Sequence, residues 1–124
     1  GRYYAKAKEN ELVMQYYSGA LDILSDHTDP HSAVEVAMLL GQVLSDAGRK
    51  EEAAEHYVDA MVLAEANDFR MLQGELLARL GEVESDRSQK MDYLQRSLTV
   101  FRDLGAVDRM LEVQASVHLA VMGN

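Results

Sequence analysis

Apolar residues recur along most of this chain at spacings of three and four. The clearest stretch is residues 33–64, AVEVAMLLGQVLSDAGRKEEAAEHYVDAMVLA. Ala33, Ala37, Leu40 and Leu44 form one stripe, widened by Val36 and Val43. That is the period of an amphipathic helix, and the neighbours Leu39-Leu40 and Val43-Leu44 break the alternation a strand needs. Asp46-Ala47-Gly48 stops this helix, because glycine can take the left-handed conformation that closes a C-terminus. A second stripe, Ala53, Tyr57, Ala60 and Ala64, with Ala54 and Met61 beside it, begins after Glu51 and Glu52, acids suited to a helix start. So short a connection folds the two helices back antiparallel. Gly41, Ala53 and Ala60 are the small residues where they would touch. A glycine inside a helix costs roughly 1 kcal/mol against alanine, which close approach of a neighbouring backbone would offset.

The pattern continues on both sides. Residues 1–5 read as the stub of a helix, and residues 8–25 as a helix with Val13, Tyr17, Ala20, Leu21 and Leu24 inward. Asp29-Pro30 is a strong start, an acceptor followed by a residue that needs no N–H. Helices are predicted at 31–46, 50–66 and 69–85, the last begun by Asn67-Asp68 and striped by Leu72, Leu76, Leu80 and Val83. Glu84 stands where an apolar residue is due and loosens the next turn. The following stripe, Met91, Leu94, Leu98 and Phe101, arrives three residues early, with Ser97 as its small contact residue and Gly105 as its end. A last helix spans 107–122.

The units repeat. Gly1, Gly41 and Gly81 are 40 residues apart, as are Ala20 and Ala60. Leu40-Gly41-Gln42-Val43 returns as Leu80-Gly81-Glu82-Val83, Ser45-Asp46 as Ser85-Asp86, and Tyr17 to Leu21 answers Tyr57 to Met61. A fixed period of this size points to a solenoid. The residues Leu40-Gly41, Leu44, Ala53, Tyr57 and Ala60 fall at the spacings of the tetratricopeptide repeat, although Ala37 replaces that family's early Trp and its late Pro is missing. The chain resembles the long-repeat class of that family. The resemblance implies an all-α solenoid of antiparallel helix pairs in a right-handed superhelix, with about six helices plus the N-terminal stub. It also implies a groove, lined by the first helix of each pair, that holds a peptide.

Composition narrows the picture. One domain accounts for 124 residues. No run of 18 apolar residues offers a membrane span, and no secretory signal opens the chain. Having no cysteine excludes disulfides and thiolate metal sites and fits a reducing, cytoplasmic setting. A net charge of −9 disfavours nucleic acid and anionic membranes and favours a basic or apolar protein partner. The start at Gly1, without Met and where a repeat glycine belongs, points to a fragment of a longer protein.

By helical spacing, the groove takes Glu35, Met38, Gln42 and Asp46 from one helix, and Glu75, Ala78, Arg79, Glu82 and Asp86 from the next. The last helix gives Gln114, Val117, His118 and Val121. Five acids against one arginine make an acidic channel, or a solvated face on an acidic protein. Only Arg79 resembles the cationic clamp with which some members of the family hold acidic tails, so that reading is rejected. Val113, Val117 and Val121 form an apolar strip on the last helix, with Met110, Leu119, Ala120 and Met122 on another side. These either meet a further repeat or pair with a second copy.

Chemistry is sparse. His27 and His31 flank Asp29-Pro30 near Asp26, but in a connection, so no metal is assigned. A di-iron bundle needs Glu three residues before His, and His56 and His118 have Ala53 and Ala115 there. No nucleophile, phosphate-loop or zinc-protease motif occurs, His56 reads as an exposed helix residue, and the seven methionines read as core filler. The expectation is a non-catalytic protein-binding scaffold without cofactor. The alternative is a peptide- or ligand-sensing regulatory domain of a larger signalling or transcription protein.

Overall fold

The structure, a computed structural model, describes residues 29–122. The N-terminal stub, the helix expected at 8–25, Asp26 and His27 lie outside the described residues. Five helices occupy the rest: α1 Pro30–Asp46, α2 Lys50–Ala66, α3 Arg70–Val83, α4 Arg87–Asp103 and α5 Val107–Met122. The described part is therefore all-α, with five helices where six and a stub are expected over the whole chain. Each helix packs on the next in sequence, and α1 also touches α3.

Helix ends follow local chemistry. The Ser32 N–H donates to Asp29 Oδ1 at 2.8 Å, and Pro30 opens α1. This bond, first among several contacts, holds the Asp29 carboxyl below its ordinary range. Three helices end alike. At α1, Gly48 has φ 82°, its N–H donates to Ser45 O, and Arg49 N–H reaches back to Leu44 O at 2.8 Å. At α4, Gly105 has φ 73°, and Ala106 N–H bonds Phe101 O at 2.8 Å. At α2 the left-handed residue is Asp68, φ 56°, and Phe69 N–H bonds Ala64 O at 2.9 Å. Asn67-Asp68 thus closes α2 and does not cap α3, whose N-cap is Phe69, without a side-chain bond. Asn and Asp suit either role, since both accept at N-caps and both tolerate the left-handed region. The Ala64 contact decides.

The end of α3 is different. Glu84 is extended, ψ 128°, and α3 has 14 residues against 17 in α1. Where Leu44 holds the last turn of α1 in the core, a carboxylate cannot. Lys90 from α4 caps the exposed carbonyls, its Nζ 2.7 Å from Gly81 O. This shortening is the three-residue advance in the sequence pattern.

The core is made by side chains seated on glycines. A Cβ at Gly41 would collide with the Tyr57 ring, one at Gly74 would lie 2.7 Å from Phe101 Cε1, and one at Gly81 2.8 Å from Leu94 Cδ2. The neighbour that Gly41 admits is therefore a ring and not a backbone. Tyr57, Leu40 and Leu76 centre one apolar cluster across α1, α2 and α3. Phe101, Leu94, Val113 and Ala78 centre another across α3, α4 and α5. Ser97 is fully buried and donates to Gly74 O at 2.8 Å, so its hydroxyl is satisfied.

Candidate functional site

Equivalent residues are 40 apart from α1 to α3 but 37 apart from α2 to α4 and α3 to α5. Gly41 and Gly81 each seat a side chain of the next helix, Tyr57 and Leu94. Asp68 and Gly105 hold equivalent turns. Along this register α1, α3 and α5 share one face, and polar bonds stitch it. Arg79 on α3 donates to Gln42 Oε1 on α1, and Gln42 donates to Asp46 at 2.9 Å. Arg109 on α5 grips Glu75 on α3 through two bonds, 2.5 and 2.6 Å, and also pairs with Glu112. Its guanidinium carbon lies 5.4 Å from the centre of the Phe101 ring. The bond to Glu75 dominates in raising the Arg109 pKa further.

Most of the groove residues predicted on α1 and α3 lie on this face. Glu35 is exposed and 2.8 Å from His31 Nδ1, and His31 meets the edge of Phe69 at 5.3 Å between centroids. Glu82 and Asp46 are exposed. Met38 and Ala78 are not available, being buried in the core. Asp86 caps α4 instead, accepting from the Ser88 N–H at 3.2 Å.

On α5 the residues differ from the sequence reading. The 37-residue register puts Glu112, Ser116 and Leu119 opposite Glu75, Arg79 and Glu82. Gln114 and His118 are exposed but correspond to Leu77 and Gly81, on another side of the helix. The predicted Gln114 and His118 stand 39 residues beyond Glu75 and Arg79, two past this register, which turns the helix face by about 160°. Val113 is buried on Phe101, and Val117 is partly buried against the same cluster, as are Met110 and Ala120. Of the predicted Val113–Val117–Val121 strip only Val121 is open, and Leu119 (69% exposed) and Met122 (70%) lie bare beside it. Sequence reasoning missed Arg109, Glu112 and, on α1, half-exposed Leu39, which precedes Gln42 by one turn, and it placed Leu119 on a side away from the groove. The equivalence of Asp68 and Gly105 was the signal that could have found the α5 set.

Tyr57 sits under this face, 1% exposed. Burial raises its pKa, and the Arg79 guanidinium beside its hydroxyl partly opposes the rise. Arg79 Nε is buried without a hydrogen-bond partner. Among the described residues no group of three acids or histidines is arranged to hold a metal ion, and no helix is long and apolar enough to cross a membrane.

No protein-family model matches this chain, and no curated protein matches it significantly.

Proposed function

We propose that this chain is a non-catalytic, tetratricopeptide-like binding module whose α1–α3–α5 face takes a protein or peptide segment carrying basic and apolar residues. The single observation that carries this reading is the composition of that face. Leu39 and Leu119 are exposed at 50% and 69%, among Glu35, Asp46, Glu82 and Glu112, while Arg79 and Arg109 are engaged by Gln42 and by Glu75. Exposed acids around bare apolar side chains suit a cationic, apolar segment, and the net charge of −9 steers the same partner. Glu82 is the one of the four whose carboxylate makes no ion pair or hydrogen bond among the described residues. The repeated glycine seats support a solenoid of stacked hairpins, in which such a face is continuous.

Selection from a random-sequence peptide library, followed by fluorescence anisotropy with the peptides obtained, tests the reading. The selected peptides should pair Arg or Lys with Leu, Met or Phe. Glu35→Lys with Glu82→Lys should weaken them at least about tenfold, the effect of losing charge-assisted contacts. Acidic winners, or affinity that survives the reversal, would place binding elsewhere.

A further inference from the structure

A cleft of about 280 Å³ opens between α3, α4 and α5, lined by Gly81, Glu82, Lys90, Leu94, Ser116, Leu119 and Ala120. Its counterpart one unit earlier is full. Moving back by 40 residues on α3 and 37 on α4 and α5, Gly81, Glu82, Leu94 and Ser116 become Gly41, Gln42, Tyr57 and Arg79. There the Tyr57 ring covers Gly41, and Arg79 lies across its hydroxyl and donates to Gln42. In the second unit tyrosine has become leucine and arginine has become serine. Both replacements are shorter and leave room beside Gly81, while at the same register Ala53 has become the longer Lys90, whose end is turned to the α3 carbonyls. The acceptor at its edge has changed in the opposite sense, from the Gln42 amide to the Glu82 carboxylate.

From this comparison we infer that the cleft is a pocket for an arginine side chain supplied by a partner, seated where the first unit seats its own Arg79. Leu94, Leu119 and Ala120 offer apolar walls to the methylenes, and Glu82 offers a carboxylate to the guanidinium. Arginine fits better than lysine because its flat fork matches a carboxylate and stacks on apolar walls. The cation in the wall does not close the site. Lys90 Nζ is committed to the backbone, 2.7 Å from Gly81 O and 3.4 Å from Glu82 O, at the negative end of α3. The Glu82 carboxylate makes no ion pair among the described residues. The volume is near the lower bound of small-ligand pockets, roughly 300 Å³, and suits one long side chain. The pocket rests on the proposed reading only in opening on the same face, and it names the side chain anchored there.

The test titrates the full chain with N-acetyl-arginine amide, N-acetyl-citrulline amide and N-acetyl-lysine amide, followed by ¹⁵N and methyl NMR. The arginine amide should shift Gly81, Leu94 and Ala120 in a saturable manner, with the neutral citrulline and the lysine amides at least about tenfold weaker. Glu82→Gln should weaken arginine by a similar factor. Ser116→Arg should abolish binding by filling the pocket from within. Should that variant misfold, Ala120→Leu crowds the same wall and serves instead. Equal shifts from all three amides, or arginine binding indifferent to both Glu82→Gln and the filling variant, overturns the inference. Arginine binding here alongside failed peptide selection would sink the groove reading and keep the pocket. Peptides that bind but ignore Ser116→Arg would sink the pocket and keep the groove.

Discussion

A methyl group at Gly41 has nowhere to go but into the Tyr57 ring. Gly41→Ala is therefore expected to lower stability by about 1–3 kcal/mol through overpacking, despite a helix-propensity gain of about 1 kcal/mol. Urea unfolding measures it, and an unchanged midpoint would mean that the ring moves aside at no cost. Tyr57 makes a second claim. Burial holds its folded-state pKa above the unfolded value of 10.0. The neutral phenol's contribution is then complete below pH 10 and is lost as pH rises through the folded value. Between about pH 9 and about pH 11 the wild-type chain should lose more stability than Tyr57→Phe, since only the former must ionise a buried phenol. Equal losses in denaturant melts at the two pH values would show that the phenol titrates freely.

Helix ends show how far local chemistry reaches. Gly48 was legible as a stop because glycine alone takes φ 82° without strain, and nothing lies within 4 Å of a Cβ built there. Gly48→Ala should thus cost about 1 kcal/mol from backbone strain alone, and Gly48→Asn distinctly less, in thermal or urea unfolding. Equal stability of the two variants would contradict this account. Asp29-Pro30 was equally plain, for an acceptor before proline has one obvious use. Asn67-Asp68 was not, because the same residue types serve starts and stops. Lys90 as the cap of α3 could not be read at all, since the donor comes from the next helix.

Across the packed helices, the link between α3 and α5 runs through Glu75 and Arg109, whose side chains are 22% and 31% exposed. A double-mutant cycle with Glu75→Gln and Arg109→Met should give a coupling of about 1 kcal/mol, the upper end for partly exposed pairs, because the contact is bidentate. Coupling near zero would mean that the pair only decorates the face. This pair also explains why the acidic channel was overstated. Glu75 counted as a free acid in the sequence, and Arg109 was not assigned to the face at all. Only packing brings α5 against α3 with that arginine turned toward Glu75.

Apolar spacing with caps and glycines determined that the described chain is helical, placed four of its five helices to within two residues and gave α4 by its stripe and its end, and made Gly41 and Gly81 equivalent positions. Each is fixed by neighbours along the chain, through helical period, capping and the freedom of glycine. Which way α5 faces was decided only by tertiary structure. The three residues lost at Glu84 show in the sequence as an early stripe, but which α5 side chains then meet α3 follows only from packing. The partnering of Arg109, the burial of Val113 and the cleft beside Ser116 depend on where α5 then lies, and the partnering of Arg79 on α1 meeting α3, because they join side chains from helices that meet only once packed.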